Sequence, residues 1–440
     1  MVSIPFAEAI SKLPVAELQH TIEEFVRPVS RRLPDVRLQR IVPLAVQGIV
    51  SSESPIITQM AQGIPRSEGS IWAVAKRFYR FLHNANFTTA TLNQGLYRVG
   101  QRTVQREDPE YVVVALDPVN FEKPYTHALD GVSVVHKSTP PDLQGHARLT
   151  RGYPAVTAAV VNTCVPAVTY AHWFSYTSAD FVSENREVQQ AIHTTQALLP
   201  AYQRRFVMDS GGDDKKIFAW LADEEFVIRA CHLERLVEVH NAHTDQWERE
   251  ALEDLVAVTL WQAEFGTQFH HAGATRQATL QVGWYRLRLP DTHQPLWAVV
   301  YYEAAIDRTT VLLTNVPVTK PKTAQQVYRD WRLRGRIEHG YRFDQEQGLD
   351  VEDMRVQSRQ AMQRLFVLVL LAAQFVFHLI DTWPPAAVTW LRRLGGKLDL
   401  MIDRDGPYLV LRGLAALWQA LVTLSWAATD PFPHHLFAPG

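Results

Sequence analysis

The sequence predicts an α/β protein in which a mixed-sheet core is interrupted by a β-rich insertion and flanked by helical N- and C-terminal regions. Three observations predict it. Up to about residue 106 the apolar residues recur at helical spacing between prolines; beyond residue 110 they fall in short runs rich in Val, Thr and Tyr; past Lys322 helical spacing returns. Two of the apolar runs end on an aspartate, Asp117 and Asp209. A third acidic residue, Glu338, sits in the arginine-rich stretch that follows the last run.

Residues 1–106 are expected to be mostly helical, with Pro14, Pro34, Pro55 and Pro65 between elements and short amphipathic helices carrying Leu38, Ile41 and Leu44, then Ile57, Met60 and Ala61. Basic residues gather at Arg31, Arg32, Arg37 and Arg40, and again at Lys76, Arg77 and Arg80 beside Phe78, Tyr79 and Phe81. This pattern fits a small domain that reads the end of a DNA duplex, and equally a helical cap with a solvated charged face.

The core begins in 107–224. Strands are expected at 111–117, 132–136, 155–162 and 166–173, followed by a helix from Ser183 to Leu199 and a strand at 205–209 ending on the second aspartate. Strands, then a helix, then a strand is the order of an RNase H-like core. Its first strand carries one carboxylate, its fourth a second, and a later helix the third. Residues 225–318 alternate through Ala278 to Leu289, Leu296 to Tyr302 and Thr310 to Leu313, which predicts an inserted, mainly antiparallel β-unit with one solvated face. The core resumes over 319–380, where Pro321 starts the helix that carries Glu338 and a second helix runs over 351–380. Residues 381–440 form a C-terminal helical region. The run from Leu365 to Ile380 is shorter than the roughly 20 residues a bilayer needs and contains Gln374 and His378, so a buried helix, not a membrane span, is expected.

Composition excludes some classes of function. With a formal net charge of −2, no overall field draws the chain onto nucleic acid, so any such surface must come from local basic clusters. Two cysteines, Cys164 and Cys231, make no disulfide framework and suit a reducing compartment. The first residues show no secretory pattern, so a cytoplasmic location is expected. No GxxxxGK[ST] loop is present, so no nucleotide cofactor is expected. Cys231, His232, His240 and His243 lack the paired short gaps of a zinc site.

Taken singly, a strand-end Asp is most often a turn former. Two such aspartates and a helical glutamate together supply the oxygen ligands that a hard cation such as Mg²⁺ takes. On the Glu338 helix, Arg334, Glu338, Tyr341, Arg342 and Gln345 share a face, setting guanidinium groups that can fork onto phosphate oxygens beside a carboxylate. Trp284 and Trp297 in the insertion could stack on a displaced base, but core packing is the expected role.

On these residues the chain resembles the bacterial insertion-sequence transposases of the DDE type, in the branch with a YREK box and a β-rich insertion. The box reads Tyr, two residues, Arg, three residues, Glu, six residues, Lys; Arg334 and Glu338 fall on its Arg and Glu, and Tyr341-Arg342 matches the aromatic–arginine pair that follows. The segments LDPVN at Asp117 and MDSGG at Asp209 also resemble the family's, and the resemblance covers nearly the whole chain. Trp331 stands at the family's tyrosine position and Gln345 at its lysine position, with Tyr328 one turn before Trp331. The resemblance implies that Asp117, Asp209 and Glu338 bind two Mg²⁺ ions, with Mn²⁺ as a substitute, and catalyse cleavage of transposon ends and their joining to target DNA. It also implies that Arg334, Tyr341, Arg342, and the residues at the Trp331 and Gln345 positions contact the DNA backbone, that the enzyme works as a homodimer on double-stranded DNA, and that it is nucleoid-associated in a bacterial cytoplasm. A metal-dependent nuclease that does not join ends and a DNA-binding protein without chemistry are the alternatives.

Overall fold

The computed structural model describes residues 15–124, 128–137, 148–241, 243–271, 274–345, 348–396 and 406–429. The first described elements are helices α1 (Val15–Ser30), α2 (Val36–Ser52), α3 (Ile57–Gln62), α4 (Ile71–Leu82) and α5 (Thr89–Glu107). Asp35, Ser70 and Thr88 accept backbone N–H bonds at the starts of α2, α4 and α5, satisfying donors that a helix start leaves open.

Strands β1 (Val112–Glu122), β2 (Ser133–His136), β3 (Leu149–Val160) and β4 (Ala167–Trp173) follow, then helix α6 (Glu184–Leu198), capped by Ser183, and strand β5 (Arg204–Met208). After the short helix α7 (Lys215–Trp220) come β6 (Glu225–Arg229), β7 (Leu236–Asn241), β8 (Gln246–Ala251), the short helix α8 (Leu252–Ala257), β9 (Ala263–His271), β10 (Ala274–Arg288), β11 (Pro295–Glu303) and β12 (Arg308–Thr314). The chain closes with α9 (Pro321–Arg332), α10 (Gly335–Gln345), α11 (Arg359–Thr382), α12 (Pro385–Gly395) and α13 (Gly406–Thr429).

All the described strands join one mixed sheet of order β2-β3-β1-β5-β6-β12-β11-β10-β7-β8, with β4 also on β3 and β9 also on β10. β1 is antiparallel to β3 and parallel to β5, and β6 is parallel to β5. The β-rich insertion is therefore an edge extension of the core sheet: β12 pairs antiparallel with β6, and β11 and β10 continue outward. Strand β6, which sequence alone assigns to the insertion, lies beside β5.

β1 runs through Asp117 and Pro118 to Glu122, longer than the sequence predicts. The proline is tolerated because of its parity. Val113 accepts from Val161 and Lys123 donates to Arg151, so odd-numbered residues turn their peptide groups toward β3 and Pro118 faces the other edge. Among the described residues no strand pairs with that edge beyond Ala115, because β5 ends at Met208. The missing N–H interrupts no ladder.

The same alternation separates two cores. Val112, Val114 and Leu116 belong to the larger one, with α1–α6 and α11, whereas Val113 and Ala115 join a smaller one with Val207, Val227, Ala324, Val327 and Ile337. Trp284 and Trp297 pack half-buried against this smaller core, the role expected of them.

The helix expected over 351–380 starts later: Val351–Asp353 is a short 3₁₀ turn, and α11 begins at Arg359, where Ser358 accepts from Ala361 N–H, and extends through Thr382. It and α13 are the two described helices long and apolar enough to cross a membrane; the apolar window of α11 is 72% buried inside the protein, as a core helix requires, and that of α13 is 44% buried. Arg364 on α11 is fully buried. Its guanidinium donates to the carbonyl oxygens of Leu82 (2.9 Å), Asn84 (2.8 Å) and Phe87 (2.5 Å) and lies 4.2 Å from the centre of the Phe87 ring, so it closes the C-terminal end of α4 against α11. Arg364→Met keeps the apolar stem and strands these acceptors; the unfolding free energy in urea is expected to fall by about 3 kcal/mol.

Candidate active site

Parallel pairing sets the first two carboxylates. Val112 lies beside Arg204 and Ala115 beside Val207, and the same register carried two residues on brings Asp117 level with Asp209. Both follow the parity of Val113, Ala115 and Val207, so they stand on the face of the smaller core. Asp117 is backed on its other side by Thr157 of β3. Asp209 leaves β5 with extended backbone and opens the turn Ser210–Gly212.

The third carboxylate comes from α10, which packs on this face through Ile337. Sequence predicts one helix from Pro321 onward; the structure breaks it at Leu333 and Arg334, where Leu333 N–H bonds to both Arg329 and Asp330 and Arg334 N–H bonds to Trp331. Gly335, a poor helix former, begins the next helix. Arg334 is therefore the corner residue, and it keeps the i,i+4 relation to Glu338.

Arg334 links the carboxylates. One guanidinium nitrogen is 2.5 Å from Glu338 Oε1 and the other 3.4 Å from Asp209 Oδ2. Burial alone would lower the pKa of this guanidinium, but Asp209, Glu338 and Asp117 together hold it above the ordinary arginine value. A second guanidinium, that of Arg229 at the end of β6, is 3.5 Å from Asp209 Oδ1. Asp117 behaves differently. Burial, with added repulsion from Glu338 and Asp209, pushes its carboxyl from 3.8 up to about 7 despite the attraction of Arg334.

Three contacts hold these elements in place. The Trp331 indole N–H donates to the Met208 carbonyl at 3.2 Å, pinning the end of α9 to the residue before Asp209. Arg336 donates to the carbonyls of Val161, Thr163 and Cys164, each at 2.5 Å, and fastens the start of α10 to the β3–β4 turn. Asp330, buried on α9, accepts from Arg205 and from Tyr111 and Gln326 at 3.2 and 2.8 Å.

Of the residues singled out from sequence, Asp117, Asp209, Glu338 and Arg334 come together. Trp331 is half-buried and bonded to the strand. The side chains of Tyr341, Arg342 and Gln345 lie outside the described residues; their backbone belongs to α10. Sequence reasoning missed Arg229 and Arg336. Arg229 had a signal, an arginine closing the apolar run of the strand after Asp209, but that run was read as part of the insertion. Cys231 and His232 give their backbone N–H groups to Asp213, and His240 contacts Asp245, so these residues do not converge on one point.

The donor set suits a divalent cation in ligand type and in sign of charge, since hard cations take carboxylate oxygens. The cation lying among the carboxylates is the Arg334 guanidinium, and among the described residues no three His, Cys, Asp or Glu side chains are grouped closely enough to hold an ion. Comparison with known proteins gives no match to a family model and none to a curated protein.

The Asp117 shift has a consequence for stability. With its folded pKa raised from 3.8 to about 7, the folded chain keeps a proton that the unfolded chain has lost, so this residue removes stability as pH rises through that window. Asp117→Asn is expected to raise the unfolding free energy by about 1 kcal/mol or more near pH 8 and to leave it unchanged near pH 4. Denaturant melts at the two pH values check this.

Proposed function

We propose that this chain is a DNA transposase of the DDE type, with an RNase H-like core, that cuts the ends of a mobile element and joins them to target DNA. The observation that carries the reading is the convergence of Asp117, Asp209 and Glu338, from two adjacent parallel strands and a helix, about one arginine. The strand order β4-β3-β1-β5-β6, with β1 antiparallel to β3 and parallel to β5, is the order expected of an RNase H-like sheet and supports it. So does a cleft of about 930 Å³ between α1, α2 and α4, lined by Arg27, Arg31, Arg37, Arg40, Arg77 and Arg80, of which Arg27 pairs with Glu24, Arg37 with Asp35 and Arg77 with Glu68. Such a cleft suits the phosphate backbone of a duplex.

With Arg334 turned away from between them, Asp117, Asp209 and Glu338 would hold two Mg²⁺ ions, or Mn²⁺, which when bound supply an activated water or hydroxyl and charge stabilisation at the leaving oxygen. The protein's own residues do the positioning. Arg334, on a corner fixed from both sides by Trp331 and Arg336, can turn its fork from the carboxylates to a phosphate oxygen. Arg229 offers a second cation on the far side of Asp209. Asp117, whose carboxyl burial pushes up to about 7, must shed its proton to serve as a ligand. Tyr341 and Arg342 would extend the phosphate contacts one turn along α10, and two chains would act together as a homodimer bridging two ends.

Asp209→Asn and Glu338→Gln are each expected to lower Mg²⁺-dependent cleavage of element ends by about a hundredfold or more while DNA affinity is retained. Gel assays of end cleavage and of strand transfer into a plasmid check this. Cleavage without transfer by the unaltered protein would make it a nuclease, and undiminished cutting by either variant would remove these carboxylates from the chemistry.

A further inference from the structure

A second cationic cleft lies away from the carboxylates. It has a volume of about 630 Å³ and opens between the α1–α2 turn, α5 and α6, with Arg32, Arg98, Arg186 and His193 on its walls beside Gln190 and Thr194. None of its lining residues is acidic. Its arginines are bonded to neutral amides: Arg32 to Gln94 at 3.0 Å, Arg98 to Gln101 at 2.5 Å and Arg186 to Gln189 at 2.6 Å. Among the described residues none of the three forms an ion pair. Arginines elsewhere on the core are neutralised, as Arg204 is by Glu224, Arg205 by Glu225 and Asp330, and Arg235 by Asp213.

We propose that this cleft binds the phosphate backbone of DNA, as a second DNA site on the side of the sheet opposite the carboxylates. Guanidinium groups from three separate elements, 32, 98 and 186 in the sequence, repel one another unless an anion lies between them. Their amide partners are weak acceptors that a phosphate oxygen replaces with a charge-assisted, forked bond. The placement follows from packing: α5 and α6 bury Leu92, Leu96, Val188 and Ile192 in the larger core, while Asp117 and Asp209 stand over the smaller one. A DNA segment held here is therefore not the one lying across Arg334 on the same chain.

The ligand is a polymer because the cleft does not stand alone. Arg31 lines the 930 Å³ arginine cleft and its neighbour Arg32 this one, so the two clefts flank the α1–α2 turn and together offer cationic surface for more than a mononucleotide. The choice of DNA as the polymer rests on the function proposed above; the excess of positive charge does not.

The test uses the full chain without divalent metal and a short duplex of arbitrary sequence, with affinity measured by fluorescence anisotropy over a range of KCl concentrations. Arg98→Gln with Arg186→Gln alters two exposed side chains, and an unchanged melting temperature shows that the fold is kept. The plot of log affinity against log salt is expected to become shallower by about 2, and Arg98→Lys with Arg186→Lys to restore most of the slope. If the unaltered protein binds the duplex and the double variant keeps its slope, the second site is overturned and the proposed function stands. If the unaltered protein binds no duplex at any salt concentration, the proposed function falls and the DNA assignment of this cleft falls with it. Binding of tripolyphosphate that the double variant loses, with duplex binding unchanged, assigns the cleft to free phosphate compounds and overturns the DNA assignment.

Discussion

Three carboxylates held near one another in partial burial repel, and the Arg334 guanidinium among them is the interaction on which the arrangement depends. Its bonds to Glu338 and Asp209 join a helix to a strand end, and its field offsets part of the cost of burying Asp117. A single guanidinium does not offset all of it, since Asp117 still holds a proton near neutrality. The remainder is the cost of burial itself, the largest cause of the raised Asp117 pKa, while the second guanidinium, that of Arg229, is directed to Asp209.

The surrounding structure serves to fix the corner at which Arg334 sits. α9 is tied to the sheet by buried Asp330 and by Trp331, and α10 by Arg336, so both helices leave the corner with their first or last turn anchored. Trp331 and Arg336 bond to backbone carbonyls of β5 and the β3–β4 turn, and Asp330 to the ion-paired Arg205 of β5 and to Tyr111 just before β1. The larger core on the opposite side supplies rigidity: α11 lies against the sheet through Phe366, whose ring is 4.9 Å from Trp173 and 5.2 Å from Phe121. The face that bears the carboxylates carries the smaller of the two cores.

Local signals made much of this legible. The change from helical spacing to Val-rich runs located β1, β3, β4 and β5, Ser183 marked the start of α6, and Pro321 the start of α9. Asp117, Asp209, Arg334 and Glu338 were readable because strand-end acids and an i,i+4 pair are local patterns. What was not readable depends on partners distant in sequence. β1 continues past Pro118 only because β5 has already ended beside it, which no property of the proline reveals. β6 looked like the start of an insertion because its run Glu225-Phe226-Val227-Ile228-Arg229 says nothing about pairing with β5. Arg229 was lost with it. Arg364, an arginine in an apolar helix, carries no local sign of the three carbonyls that surround it.

The central claim is that Asp117, Asp209 and Glu338 form one cation site from three separate elements. Anomalous diffraction from crystals soaked in Mn²⁺ tests it most directly. Peaks bonded to oxygens of all three carboxylates, with Arg334 swung away from Glu338, are the predicted result. Full Mn²⁺ occupancy elsewhere on the chain, with Arg334 still bridging Glu338 and Asp209, would contradict it.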